Sequence, residues 1–502
     1  MDAARRLPAE VLSQIFYLVI RSIGGDEPEW STFRQTWRAL LFTSRTWNEL
    51  VMNNPILWSE AHFASEPEWM SEMLSVFLVR SKNVPLDVYI HQAASLRRGT
   101  RIAERGQELE GISQASLLNH FERFRLLYFS CPPSPFFPLS KPTPKLTHLI
   151  IASSSRVLWG SRGLPDHILH SPSPLEVLHV GWPAPSDPFQ HVDPQKLRRL
   201  SFSRSWEDKQ GPHFLSSCKN LTRLHLPYDG LKFLTAPPSL DDPLHFPHLE
   251  SLRLHDACEL LSLYFGPLPS LLDLTIVSRH HYSETNTFAP RFGGRTNNDT
   301  KIAPPWPTMP RLKHLTVQHV HAEDLIPVFA SSPDLLTARI YVNVGLSEFL
   351  HCLENKWTLP HASGADNQAV DGKEHSERAH TYQTLVPNLA SLLLFPNANE
   401  SAADLTPFGH EEAIGEILPL IDTVLDGRPG LTIEIGDDES DGGGGNCAGR
   451  WRKADLMPFV QNADLDMGVE SSPVRLRNAS RVIVVPLTYP PYAEVDPPYF
   501  DL

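Results

Sequence analysis

Apolar residues follow a helical period at the start of the chain and a strand-like period from about residue 120 onward. The first stripe recurs at helical spacing and consists of Val11, Leu12, Ile15, Phe16 and Val19. Pro8 suits the first turn of this helix, where its missing N–H would have no partner in any case. Gly24-Gly25 supplies a stop. The pattern therefore predicts one short amphipathic helix that begins near Pro8.

A second helical pattern runs through FRQTWRALLFTSRTWNELVMNN, with a predicted break near Thr43-Ser44 and an end at Asn53-Asn54-Pro55. About 60 residues with three short helices are too few to bury so much apolar surface alone. The helices must pack on each other and on the next segment of the chain, or part of the first stripe must dock a partner.

The order LPAEVLSQIF, then TSRTWNELVMNNPILW, resembles an F-box domain. That family reads Leu-Pro-x-Glu-Ile/Leu-Leu-x-x-Ile-Phe, then Val-Cys-Arg-x-Trp, then Leu-Trp. The run WMSEMLSVFLVRSKNVPLDVYI is similar to the segment that follows the F-box in many fungal members, so the resemblance covers about the first 90 residues. It implies docking to a Skp-type adaptor and, through it, to a cullin. The residues it assigns to adaptor binding are Leu7, Pro8, Val11, Leu12, Ile15, Phe16 and Trp47. If the helix docks a partner, Leu12 and Ile15 should both be partly exposed in the isolated chain.

The phrase Leu-x-x-Leu-x-Leu recurs about ten times between residues 123 and 397, as in KLRRLSF, NLTRLHL and HLESLRL. Its last two apolar positions point to one face of a short strand, and the first lies where the chain enters that strand. One such unit cannot bury its apolar face, but stacked units form a continuous core, and the spacing fits leucine-rich repeats. The asparagine that usually follows the strand occurs in two copies, as Asn343 and Asn397, so we expect an irregular solenoid. Unrelated α/β units with chance leucine motifs are the alternative.

The predicted fold class is α/β, with a small N-terminal helical F-box module followed by an irregular leucine-rich-repeat solenoid with a parallel sheet. We expect the module at 1–60, a linking helix and first strand region at 61–120, and the solenoid at 121–435. Polar loop insertions are expected near 278–309 and 355–385. An acidic Gly-rich linker at 436–450 then leads to a partly Pro-rich, disordered C-terminal segment at 451–502.

Residues between the core leucines should form columns on the open face of such a sheet. In the middle repeats these columns carry basic side chains, with two aromatic residues just past the strands: Arg199, Arg223, His225, Arg253, Trp182 and Tyr228. Arg forms bidentate bonds to carboxylate and phosphate groups, and exposed aromatics supply contact area. The columns suggest a site for an acidic or phosphorylated target protein. The alternative is that strand surfaces need polar side chains, and Arg and His are ordinary choices.

Composition narrows the function classes. A net charge of −14 argues against general nucleic-acid binding. The five cysteines lack CxxC spacing, which favours reduced thiols in cytoplasm or nucleus over disulfides or zinc. No apolar run is long enough to span a membrane, and the first helix lacks a signal-peptide cleavage site. We found no GxSxG, GxGxxG, Walker or HExxH pattern, so we expect neither an enzyme nor a cofactor or metal.

The resemblance and the repeats together lead to one expected function, a substrate-recognition subunit of an SCF-type ubiquitin ligase. The F-box would dock the adaptor and the repeats would hold the target. The alternative is a non-catalytic leucine-rich-repeat scaffold outside the ubiquitin system, in which the front helices only cap the solenoid.

Overall fold

The computed structural model describes most of the predicted helices and strands. The described residues are 7–23, 30–64, 69–91, 119–129, 142–152, 169, 171–180, 191–202, 211–226, 243–255, 265–277, 307–320, 325, 328–342, 350, 353, 387–396, 420–437 and 479–486. The chain divides into two compact units, which are Met1–Ala236 with Tyr492–Leu502, and Pro237–Pro491.

Short helices dominate the start of the first unit. They are α1 (Ala9–Ile23), α2 (Trp30–Phe42), α3 (Arg45–Asn53) and α4 (Trp69–Arg80), with a 3-10 turn at Pro55–Trp58 between α3 and α4. A further helix of this unit, α5 (Gly211–Ser217), lies between two of its later strands. The predicted break near Thr43-Ser44 is confirmed, because Ser44 caps α3 by accepting a hydrogen bond from the Trp47 N–H at 3.1 Å. Gly24 follows the last residue of α1, as the sequence predicts.

Among its described residues, the first unit has seven parallel strands, each paired with its neighbours in chain order. They are β1 (Glu60–Ala64), β2 (Leu86–His91), β3 (Phe124–Phe129), β4 (His148–Ile151), β5 (Val177–Val180), β6 (Arg199–Phe202) and β7 (Arg223–Leu226). The sequence pattern predicts all of these strands except β1, whose segment EAHFA has no leucine and does not match the repeated phrase.

The described part of the second unit repeats the arrangement with seven more strands, again parallel and paired in chain order. They are β8 (Ser251–His255), β9 (Asp273–Val277), β10 (His314–Val320), β11 (Thr337–Val342), β12 (Ser391–Pro396), β13 (Thr432–Asp437) and β14 (Val482–Pro486). A helical segment at 420–427 precedes β13.

The leucine pattern forms the core in both units. The first leucine of each repeat is buried where the chain enters its strand, as at Leu197 and Leu249. The inward strand positions, such as Leu200 and Phe202, are buried as well. Strand pairing keeps the repeats in register, so equivalent positions form columns. The predicted α/β architecture, with N-terminal helices and a solenoid-like parallel sheet, is therefore confirmed.

The helical module caps the first strand. On one face of β1, the Phe33 ring of α2 meets the His62 ring edge-on, with centroids 5.3 Å apart. One turn further along α2, Trp37 packs against Trp58 at 4.6 Å and against Phe77 of α4 at 5.1 Å. Because β1 is the edge strand of its sheet, these helices shield an edge that would otherwise lie open.

Several predicted features fall largely or wholly outside the described residues. They are Trp182, Tyr228, Asn343 and Asn397, nearly all of both loop insertions, most of the linker at 436–450, and the C-terminal segment apart from β14 and the turn before it. No helix among the described residues combines the length and apolar character needed to cross a membrane.

Candidate functional site: an exposed helix face and a basic sheet column

Helix α1 has one face turned into the module and one face turned outward. On the inner face, Leu12, Phe16 and Ile20 are 6%, 2% and 2% exposed. The outer face carries large apolar side chains that are about 40–65% exposed: Leu7, Val11, Ile15 and Leu18. Val11, Ile15 and Leu18 are three or four residues apart, so they line one stripe of the helix, and Leu7 lies two residues before its start.

The expectation of partial exposure is confirmed for Ile15, which is 41% exposed, and wrong for Leu12. The reason is geometric. Leu12 lies four residues before Phe16 and eight before Ile20, so it shares their buried face, whereas Ile15 lies four residues after Val11 on the outer face. Sequence analysis omitted Leu18, although its spacing from Ile15 and Val11 would have placed it on the outer stripe.

The other residues assigned to adaptor binding divide in the same way. Leu7 and Pro8 are exposed at the start of α1, and the Pro8 carbonyl accepts from the Leu12 N–H at 3.1 Å. Phe16 instead packs inside the module against the half-buried Trp47 of α3, with ring centroids 4.7 Å apart. Phe16 and Trp47 thus support the helix from beneath, and Leu7, Pro8, Val11 and Ile15 remain accessible on it.

The predicted basic residues of the first unit lie on adjacent strands. Arg199 of β6 is the register partner of Arg223 of β7, and both are half-buried. Two positions further along, Ser201 pairs with His225, and the Ser201 hydroxyl lies 3.0 Å from His225 Nδ1. His225 is itself buried, so the two arginines are the more accessible part of this group.

Arg253 lies in β8 of the second unit, where its register partner is Thr275 of β9. It is half-buried; its own column continues through Thr275 and Thr316 to the exposed Arg339, and the neighbouring column includes the exposed His314. The structure therefore places Arg199 and Arg223 side by side and Arg253 in the other unit.

Histidines on the same face of the first unit add little positive charge. His179 of β5, whose register partners are Ile150 and Ser201, is 1% exposed, and burial lowers its pKa to about 3. The pKa of His148 on β4 is also lowered, chiefly by burial, although Asp87 and Glu176 oppose the shift. Arg199 and Arg223 thus stand beside imidazoles that are held neutral.

Sequence analysis also missed a buried polar cluster on β1 and β2. Glu60, His62 and His91 are 5%, 2% and 6% exposed and are joined by hydrogen bonds. The described residues contain no group of three His, Cys, Asp or Glu side chains arranged to hold a metal ion. No short sequence motif identifies the cluster, because Glu60 and His91 come together only through the pairing of β1 with β2.

Comparison with known proteins gives no assignment. No protein-family model matches this chain, and no curated protein is significantly similar to it.

Proposed function

We propose that this chain is the target-recognition subunit of an SCF-type ubiquitin ligase. In this proposal the N-terminal module is an F-box, α1 docks a Skp-type adaptor, and the adaptor connects the chain to a cullin and its RING partner. The repeats hold the target protein near the ubiquitin-loaded enzyme, so the chain contributes proximity and no catalytic groups.

The observation that carries the proposal is the outer stripe of α1, which we define as Leu7, Val11, Ile15 and Leu18. The other face of this helix is fully packed, so the stripe is apolar surface that the module itself does not need. Fully burying an aliphatic side chain contributes about 1.5–3 kcal/mol. Scaling that range by the four exposed fractions gives about 3–6 kcal/mol available to a partner, before the costs of association.

Capture of a purified Skp-type adaptor tests this role. The wild-type chain should retain the adaptor, and Val11→Asp combined with Ile15→Asp should lose it, because two carboxylates would be desolvated in the interface. Val79→Asp is a matched control, since Val79 is an apolar residue on α4 that is 74% exposed and outside the stripe. Adaptor retention by the double variant, or no capture by the wild type, would exclude this docking mode.

The target site is proposed at Arg199 and Arg223, which can bind an acidic or phosphorylated segment. Targets enriched by proximity labelling in the native host should be lost on Arg199→Glu combined with Arg223→Glu. Lys196→Glu combined with Lys219→Glu makes the same charge change at exposed sites outside the strands. If the two double variants lose their targets equally, the net charge of the chain, and not the strand positions of Arg199 and Arg223, governs target capture.

A second candidate function is a scaffold outside the ubiquitin system. It is favoured by the packing contacts of Phe33 and Trp37, which give the helices a structural role at the end of the sheet even without an adaptor. Under this alternative the stripe variants change neither partner capture nor the stability of the sheet.

A further inference from the structure

Three buried polar side chains form a chain across the first two strands. Glu60 Oε1 lies 3.0 Å from His62 Nε2, and His62 Nδ1 lies 3.1 Å from His91 Nε2. A carboxylate only accepts, so His62 donates from Nε2. The Nδ1 atom of a neutral His62 then accepts from the Nε2–H of His91.

Ring stacking holds the same residues in plane. The His62 ring stacks on Tyr89 of β2 with centroids 4.5 Å apart and 9° between the planes. The His91 ring is 12° from the His62 plane, at 5.4 Å. Rotating His62 out of this plane would break both hydrogen bonds and the stack, so its orientation is determined by several contacts at once.

This polar chain lies where the helical module meets the sheet. Arg21, in the last turn of α1, has Nε 3.7 Å from Glu60 Oε2, and its guanidinium also lies over the Tyr17 ring. From α2, Phe33 contacts the edge of His62. Helices α1 and α2 therefore both contact this polar cluster, through Glu60 and His62.

Buried polar contacts of this kind add little net stability over apolar packing, but their directionality selects one geometry. Apolar contacts such as that between Phe33 and His62 tolerate small rotations of a helix. The Glu60 carboxylate is held in place by its hydrogen bond to His62 and lies 3.7 Å from the Arg21 guanidinium. A rotation of α1 that carries Arg21 away would leave this buried charge without its cation, which is costly.

We infer that Glu60, His62 and His91 are positioning residues that fix the angle of α1, and with it the outer stripe, against the sheet of the first unit. The functional consequence rests on the proposed function: a fixed angle would set where the adaptor, and hence the ubiquitin-loaded enzyme, stands relative to a target held on this sheet.

The neighbouring strand offers a matched control. Asp87 is the register partner of Glu60, is equally buried, and forms a bidentate ion pair with Arg125. Arg125 belongs to β3, so its two hydrogen bonds to Asp87 join neighbouring strands of the sheet, and α1 approaches this pair only through an electrostatic interaction of Tyr17 with Arg125. Removing either carboxylate takes away the buried partner of a partly exposed arginine, but of the two carboxylates it is Glu60 whose ion pair has its arginine on α1.

The experiment measures the distance between spin labels on the full chain, one at Gln14 of α1 and one at Lys196 before β6. Labels carried by non-natural amino acids leave the native cysteines untouched. Glu60→Gln should broaden or shift the distance distribution, whereas Asp87→Asn should leave it as in the wild type while lowering thermal stability. Arg21→Gln should broaden the distance distribution too. Because Arg21 is partly exposed, this variant replaces Glu60→Gln in the experiment if Glu60→Gln does not fold.

Unchanged distributions in the Glu60 and Arg21 variants, or equal broadening in Asp87→Asn, would overturn the inference. None of these readings needs an adaptor, so failure of the proposed ligase role would show separately, as absence of adaptor capture. If the adaptor does bind, the Arg21→Gln variant should bind it as tightly as the wild type does but should transfer ubiquitin to a target more slowly. Loss of folded protein would lower both quantities together.

Discussion

Acid should destabilise the first unit through His179. The pKa of this imidazole falls from 6.5 to about 3 on folding because the ring is fully buried. Below pH 6.5 the unfolded chain takes up a proton that the folded chain does not accept until about pH 3. The unfolded state then binds more protons, so stability is full above pH 6.5 and declines as the pH falls toward 3.

The size of this effect follows from the shift. Each pH unit below 6.5 costs about 1.4 kcal/mol, so the free energy of unfolding should fall by about 2 kcal/mol between pH 7 and pH 5 from this residue alone. His179→Leu removes the titrating group at a position whose neighbour Ile150 is already apolar. The variant should therefore lose about 2 kcal/mol less than the wild type over the same pH interval.

Hydrogen exchange on β4–β6 at pH 7 and pH 5, converted to free energies of opening, measures this difference locally, which suits a chain of two units. His213→Leu, at an exposed position of α5 in the same unit, is the control and should leave the pH dependence unchanged. If His179→Leu loses as much stability as the wild type, the imidazole does not stay neutral in the fold and the argument from burial fails.

Two further predictions separate packing from docking and test a buried arginine. Leu12→Ala should cost about 2–5 kcal/mol of stability in a denaturation experiment because Leu12 is buried, whereas Ile15→Ala should mainly weaken adaptor binding, by about 1 kcal/mol, through loss of its exposed surface. Arg123→Met should lower the free energy of unfolding by about 3 kcal/mol, because the guanidinium donates to the Leu78 and Val84 carbonyls and to the Ser81 hydroxyl. Arg123→Lys should recover part of that loss. An unchanged melting temperature in Arg123→Met would contradict this assignment.

The repeat architecture could be predicted because each copy contains its own evidence. Leu-x-x-Leu-x-Leu fixes both the strand and its buried side, and one copy such as KLRRLSF predicts β6 without knowledge of the others. The columns could be predicted too, since regular spacing of copies implies regular register, as seen for Arg199 and Arg223. Local pattern was sufficient wherever the stabilising contact lies within or between equivalent repeats.

The remaining features depend on contacts between distant and dissimilar segments. Strand β1 places Glu60 and His62 in the columns that continue through Asp87 and Tyr89 of β2, and the partners of these two buried side chains, Arg21 and His91, come from elsewhere in the chain. Leu12 was misplaced for a related reason. Helical periodicity alone shows that α1 has a wide apolar stripe, but which edge is buried depends on how α2 and α3 approach it.

Capping and docking are compatible roles for the helical module. Phe33 and Arg21 contact β1, whereas Trp37 and the inner face of α1 pack within the module, and this leaves the outer face of α1 uncommitted. A cap alone needs no large apolar side chains on its outer face, where polar residues would keep it soluble. Leu18, at 65% exposed, is therefore the residue that weighs most against a cap with no further partner. The same rigid attachment that makes the module a good cap would also hold a docked adaptor at a constant angle to the sheet of the first unit.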